Sequence, residues 1–369
     1  MAFLLFVLSL GGIVVLLREH KPSFLRPDLH SFAYVTTASG NVSVVDLVKN
    51  STIAHVQVGP DASEVRAHPT QKEIWGVSPG GGYVWVLSAM NNQVTAKIET
   101  GGAPYSLDFS ADAKVVYTAS ASGNSLLAID CALKRITARS TTGAQPVLAR
   151  VTPDGKSVVV VNHRDSTLGI HDGQTLLQRA AVRVVANPDD VAILRDSAIA
   201  FVMSRSERKL SVVDLKRGVL VTNLELAGKP SQMILKPDGG ELYVLSPESH
   251  GLQAINTGSH EVGDYVVTGS APTRGALLGD SGTLYISDAV AGMIAPLDIT
   301  TRRLSRPVPV GQSPGALTFD PGDKPRLLLV LSDASGDLSV VRISSDRTTA
   351  LLTMIPIGDH PRELAVKLF

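Results

Sequence analysis

Read only for its hydrophobic and polar positions, the chain is a succession of short apolar runs cut by turn residues. The clearest runs are VVVVN at 158–162, AIAFVMS at 198–204, ELYVLS at 241–246, TLYISD at 283–288 and RLLLVLS at 326–332. Each is apolar on both faces and too short for a buried helix, which predicts strands sandwiched between neighbouring layers. A polar loop follows, as at 162–166, and then a further short strand that ends on an aspartate such as Asp172. The stretch 143–172 contains the whole motif, with a Pro153-Asp154-Gly155 turn between its first two strands.

That motif recurs with a fixed period. Pro104, Pro146, Pro188, Pro230, Pro272 and Pro314 are spaced 42 residues apart, as are the turn aspartates Asp112, Asp154, Asp196, Asp238 and Asp280. The aspartate closing the third strand recurs as Asp130, Asp172, Asp214 and Asp298, with Asn256 in the remaining slot. A period of this length without insertions is the mark of a stacked or radial repeat fold. Extended backwards, the frame puts Ala62 in the proline slot of a repeat starting at Gly59. Extended forwards, it gives a 47-residue repeat at 311–357 and restarts at Gly358, to be cut short at Phe369.

The two ends complete each other. Segments 32–39, 42–47 and 52–58 form a repeat that lacks its first strand, whereas 361–369 is a first strand that lacks the rest. Joined, they make one unit, as in a ring closed without an exposed sheet edge. The prediction is an all-β chain, a single β-propeller over 32–369 with eight four-stranded blades, the closing blade shared by both termini. Seven blades is the alternative, should the degenerate 59–100 repeat (Trp75, Gly80 to Gly82, Trp85) form none.

Composition adds little to this. An apolar content of 44%, 32 glycines and 21 prolines suit an all-β chain rich in turns. A formal net charge of zero gives no case for nucleic acid. The lone Cys131 cannot form an internal disulfide. Residues 2–17 are uncharged and apolar, followed by Arg18, His20, Lys21 and Arg26 along an 18–31 linker. The segment falls short of the roughly 20 residues of a comfortable membrane span, but no basic n-region or small-residue cleavage site marks it as a signal peptide. It reads as an uncleaved membrane anchor, with a signal segment as the rival. The basic residues on its C-terminal side favour a cytoplasmic body.

The motifs GxxP (Gly101 with Pro104, Gly143 with Pro146, Gly269 with Pro272, Gly311 with Pro314, Gly358 with Pro361) and PDG (Pro153 to Gly155, Pro237 to Gly239) accompany Tyr34-Val35-Thr36 and strands ending in Val-Val-Asp at Asp46 and Asp214. Together they resemble the YVTN-type β-propeller repeat family, lactonase-like and surface-layer-type propellers included, from Phe32 to the end. The resemblance implies an extracytoplasmic body, in the periplasm or at the cell surface, against the charge bias of the leader. It is specific for fold and nearly silent on function.

Strand direction places the GxxP loops and the loops after Asn162-like positions on one face, with the turn aspartates opposite. Two residues after the proline slot the chain has Glu64, Ser106, Leu148, Asp190, Gln232, Arg274, Ala316 and Glu363; two further on come Arg66, Asp108 and Arg150. If the first strand is innermost, Glu64, Arg66, Asp108, Arg150, Asp190, Arg274 and Glu363 form a lopsided ring at the channel mouth. Such a ring suits a polar ligand pocket, and equally a set of ion pairs lining a wet channel. The same face carries His163, Arg164, Arg205, His360 and Arg362, where a histidine could serve as base or metal ligand, though a solvated loop histidine is commoner. His68 belongs to the other end. No cluster has metal-site spacing.

Two motifs mislead. Gly311-Gln312-Ser313-Pro314-Gly315 matches a nucleophile elbow but falls in a GxxP slot, with no strand-to-helix turn. Gly80 to Gly82 lacks the Lys-Ser/Thr of a phosphate loop. The expectation is therefore a scaffold that binds a protein partner or small polar ligand on the GxxP face, with no cofactor predicted. The resemblance leaves two alternatives, a lactonase-like hydrolase using Arg, His and Glu at the channel mouth, and a tetrapyrrole (haem d-type) binder. The latter follows from a likeness of eight blades to the dioxo-haem domain of periplasmic nitrite reductase, and needs an axial histidine, His163 or His360.

Overall fold

Each repeat folds as an antiparallel sheet whose turns its own side chains cap. The computed structural model describes residues 31–279, 282–322, 326–344 and 347–369. The expected anchor at 2–17, its basic flank, the turn at Asp280 and residues 323–325 and 345–346 of the long 311–357 repeat lie outside the described residues. Asp154 Oδ1 accepts from the Lys156 N–H at 3.1 Å, and Asp238 Oδ1 from the Gly240 N–H at 2.9 Å. On the third strand's exit, Asp130 accepts from Ala132 and Leu133, and Asn256 from Gly258 and Ser259. These side chains satisfy the turn N–H groups that the strand ladders leave over.

The blades are eight sheets. Their innermost strands are Val65–Ala67, Pro104–Phe109, Pro146–Val151, Asp190–Ile193, Gln232–Leu235, Pro272–Leu277, Pro314–Phe319 and Pro361–Leu368. We number the blades one to eight in that order. The second strand of each is the buried one: Ser157–Asn162 and Leu327–Ser332 are buried at every position. Outermost strands such as Gln93–Glu99 and Arg135–Thr141 alternate between half-buried and exposed, the period-2 pattern of a sheet with one wet face. The outer strand of blade six is broken into Arg303–Leu304 and Val308–Pro309; Pro307 and Pro309 cannot donate to a ladder there.

Both questions of blade number resolve in favour of eight. Residues 65–99 make a full four-stranded sheet, with Trp75 and Trp85 wholly buried. Gly76 admits the Trp85 indole, since a Cβ there would stand 2.1 Å from Trp85 Cζ2. Gly80 to Gly82 is a turn. Pro361–Leu368 pairs antiparallel with Ser31–Thr37, so the closing blade is built from both ends of the described chain.

Packing shows the ring directly. Eight apolar clusters each join two neighbouring blades, among them Leu148, Val159, Val161 and Leu168 of blade three against Val191, Ala200, Val202 and Val213 of blade four. Blade eight contacts blade seven through one cluster (Ala33 and Val35 with Leu329 and Leu331) and blade one through another (Tyr34 and Val44 with Ile74 and Trp85). A linear stack of eight blades would have seven such seams. Each buried Val or Leu contributes about 1.5–3 kcal/mol relative to exposure, so closure adds a full interface.

Candidate ligand site in the channel

The innermost strands meet across the channel without forming ladders between blades, which leaves their inward N–H groups to be satisfied by side chains. Ser106 Oγ accepts from the Ala149 N–H at 3.1 Å, Asp108 Oδ2 from the Val151 N–H at 3.0 Å, and Gln232 Oε1 from the Gly275 N–H at 2.7 Å. Each bond reaches 43 residues on, to the next blade. Ser106 and Gln232, two polar members of the slot after the proline, are thus braces rather than free groups. Leu148 is apolar wall.

The remaining polar positions gather around one cavity of about 700 Å³, bounded by five carboxylates (Glu64, Asp108, Asp189, Asp190, Glu363) and four arginines (Arg66, Arg150, Arg205, Arg274). All seven members of the ring expected from the sequence line it. Tyr105, Asp189 and Arg205 stand at the GxxP end, and Pro69, Phe109 and Val366 at the far ends of the same inner strands.

Ion pairing is partial. Arg66 Nε donates to Glu64 at 2.8 Å, and Arg66 lies 3.7 Å from Asp108. The other pairs are long: Arg150 to Glu64 at 3.8 Å, Arg274 to Glu363 at 3.9 Å and Arg205 to Asp189 at 4.0 Å. The surrounding protein desolvates the site. Burial pushes the Asp190 carboxyl above its ordinary range, against the pull of Arg150, and does the same to Glu363 against Arg274.

Four expected site residues lie elsewhere on the face. His163 Nδ1 contacts the Pro188 carbonyl at 3.1 Å and sits 3.5 Å from Asp189, clasping the blade-four loop. Arg164 lines a separate hollow of about 410 Å³ with Asn124, Gln145 and Tyr105. His360 takes a left-handed backbone position (φ 49°) and pairs with Asp333 at 3.1 Å. Arg362 reaches 4.0 Å from Asp61. His68 is buried at the opposite end, its Nδ1 accepting from the N–H groups of Thr70 and Gln71. Ser313 sits in a loop feeding the innermost strand of blade seven, with no helix behind it. Among the described residues no group of three or more His, Cys, Asp or Glu is placed to hold a metal ion.

Sequence reasoning missed Asp189 and Tyr105, each one residue after a proline. Strict alternation turns such residues away from the channel. Asp189 lies just ahead of the regularly paired Asp190–Ile193 strand, outside the alternation, and a register shift at Pro104/Leu107 shows why alternation fails for Tyr105. A bulge there lets consecutive side chains face the same way. The signal available was the doubled Asp189-Asp190 itself.

Comparison with known proteins bears on the fold. Residues 102–273 match a family model described as a YNCE-like beta-propeller. No curated protein matches the sequence. Among solved structures, the dihydro-heme d1 dehydrogenase NirN in complex with DHE aligns at TM-score 0.74 and 18% identity, covering 93% of this chain and 76% of NirN. Apo AztD from Citrobacter koseri aligns at TM-score 0.69 and 12% identity, over 92% of this chain and 98% of AztD. Hydrazine synthase from Kuenenia stuttgartiensis aligns at TM-score 0.60 and 16% identity, over 79% of this chain and 98% of that one. At such identities the likeness is one of architecture.

Proposed function

We propose that this eight-bladed β-propeller, similar to YVTN-type propellers, works as a binding scaffold whose ligand occupies the channel from the GxxP face. The observation that carries this is the cavity of about 700 Å³, whose charged walls come from six blades that place different residues in the same repeat slots. Folding alone places no demand for different charges at equivalent slots. A cavity of this volume falls within the range of small-molecule sites, and convergent polar groups are what orient a ligand there.

Native mass spectrometry of the purified full chain tests the reading. A co-purifying mass is expected to be held by the wild type and lost in Arg150→Glu and Arg274→Glu, both remaining folded. Retention of that mass by both reversals, or unfolding of both with the mass kept in the folded fraction, would make the ring a structural ion-pair network.

A tetrapyrrole is the second reading, favoured by the likeness to NirN bound to DHE. Its requirement for an axial histidine is not met by the channel wall: His163 and His360 are engaged with Pro188 and Asp333, and neither lines the cavity. A visible absorption spectrum of the same preparation discriminates, since a bound tetrapyrrole gives strong bands above the protein's own absorption. For location, the apolar 2–17 segment and the family resemblance support a propeller anchored at a membrane and facing out of the cytoplasm. Protease accessibility in intact spheroplasts checks it, and a protected propeller would overturn it.

A further inference from the structure

If the channel is the binding site, as proposed above, its charges also say what kind of ligand it takes. Some are already spent. Arg66 is hydrogen-bonded to Glu64, Asp108 holds the Val151 N–H, and Asp189 accepts the Arg205 N–H at 2.7 Å. Three guanidiniums are not. Among the described residues, those of Arg205 and Arg274 make no hydrogen bond and come no nearer a carboxylate than 4.0 and 3.9 Å. Arg150 has one long bond, 3.4 Å to the Leu107 carbonyl.

A guanidinium presents five N–H donors in a planar fork, and in a closed ion-pair network these draw carboxylates in to about 2.7–2.9 Å. Here they stop an ångström short, on walls supplied by blades three, four and six. Asp190 stands among them. Its charge feels Arg150, Arg205 and Arg274, yet its carboxylate takes one hydrogen bond, from the Val191 N–H at 2.8 Å. The layout is a set of unused cationic donors around an under-used acceptor, with the gap between them open to the cavity.

We propose that the channel binds a small organic anion, its carboxylate or phosphate oxygens held by Arg150, Arg205 and Arg274 and a hydroxyl of the same molecule donated to Asp190. A monatomic ion such as chloride could meet only one of these walls, whereas a molecule with several anionic oxygens can reach more than one blade. A cationic ligand would face four arginines, with most of the carboxylates already engaged by protein groups.

Isothermal titration calorimetry of the full chain with four probes tests this. Citrate carries three carboxylates and a hydroxyl, tricarballylate lacks the hydroxyl, pyrophosphate replaces carboxylate by phosphate, and spermidine carries the opposite charge. Citrate or pyrophosphate is expected to bind, the stronger of the two identifying the oxyanion. Arg205→Gln and Arg274→Gln should each weaken it about tenfold. Citrate should bind more tightly than tricarballylate in the wild type and no more tightly in Asp190→Asn. Thermal melts verify that each variant keeps the ring, and anion-induced protection of the wild type against melting gives an independent readout. Anion binding unchanged in both arginine variants overturns the assignment, as does the lack of any anion binding into the millimolar range. Spermidine binding that disappears in Asp190→Asn, without anion binding, overturns the ligand class but leaves the channel as the site. In that case the co-purifying mass would still be lost from the arginine reversals.

Discussion

The two faces of the propeller use the same side chain to opposite ends. On the turn face, Asp112 and Asp238 sit in water, each held below the usual carboxylate range by hydrogen bonds. For Asp112 these come from the Ser110 hydroxyl and then the Lys114 N–H, and for Asp238 from the Gly240 N–H and then Lys236. In the channel, burial raises Asp190 and Glu363. A turn aspartate is solvated on one side and hydrogen-bonded on the other, so its charge stabilises the fold. Asp190 in the channel has lost part of its water and takes one hydrogen bond in return, so its charge costs stability. The contrast separates groups kept for folding from groups that folding alone would not favour.

The largest expected effect removes the support both faces share. Deleting residues 361–369 takes away the inner strand of blade eight, exposing the backbone of Ser31–Thr37 and opening two of the eight apolar seams. Loss of cooperative folding is expected in circular dichroism and thermal melts. A soluble, cooperatively melting truncation would mean that closure is not what holds the ring.

The next effect sharpens the contrast itself. The raised Asp190 contributes stability that is fully present below its unfolded value, when both states are protonated, and that drains away as pH rises through its folded value. Asp190→Asn should therefore raise the melting temperature at neutral pH, and the gain should fade as the pH is lowered below the ordinary range of aspartate. Asp112 and Asp238 have the opposite sign. Their contribution is present above the unfolded value and is lost as pH falls through the folded one, so Asp→Asn there should lower stability at neutral pH. Equal signs for the two sets would break the comparison.

The smallest effect is local. Asp154 Oδ1 accepts from the Lys156 N–H at 3.1 Å and from the Thr152 hydroxyl at 2.7 Å. Asp154→Ala should cost about 1 kcal/mol, the worth of a typical net hydrogen bond, read by denaturant titration. Ligand binding in the channel should not change. A loss of binding would show that the turn face and the channel are coupled.

Much of the fold was legible because its rules are local and periodic. The 42-residue spacing, the doubly apolar second strand and the closing aspartates report side-chain alternation and turn capping, which depend on residues within one blade. Ring closure was legible too, since three strands of a repeat at one end and its missing strand at the other complete a single blade. Glu64 and Arg66 share a strand face by the same alternation, and they do pair.

What the sequence could not determine lies between blades. Ser106, Gln232 and Arg274 occupy the same slot, yet two brace the next blade and one faces an open cavity. Which role each takes depends on where the neighbouring inner strand leaves an unpaired N–H, and only the assembled ring fixes that. The bulge after Pro104 changes which residues face inward and brings in Tyr105, while Asp189 enters from the loop just ahead of the Asp190–Ile193 strand. The sequence determined the ring and the side chains available at its mouth. The tertiary structure decided which charges meet, because the distance between Arg274 and Glu363 is set by blade packing across a channel and by nothing near either residue in the chain.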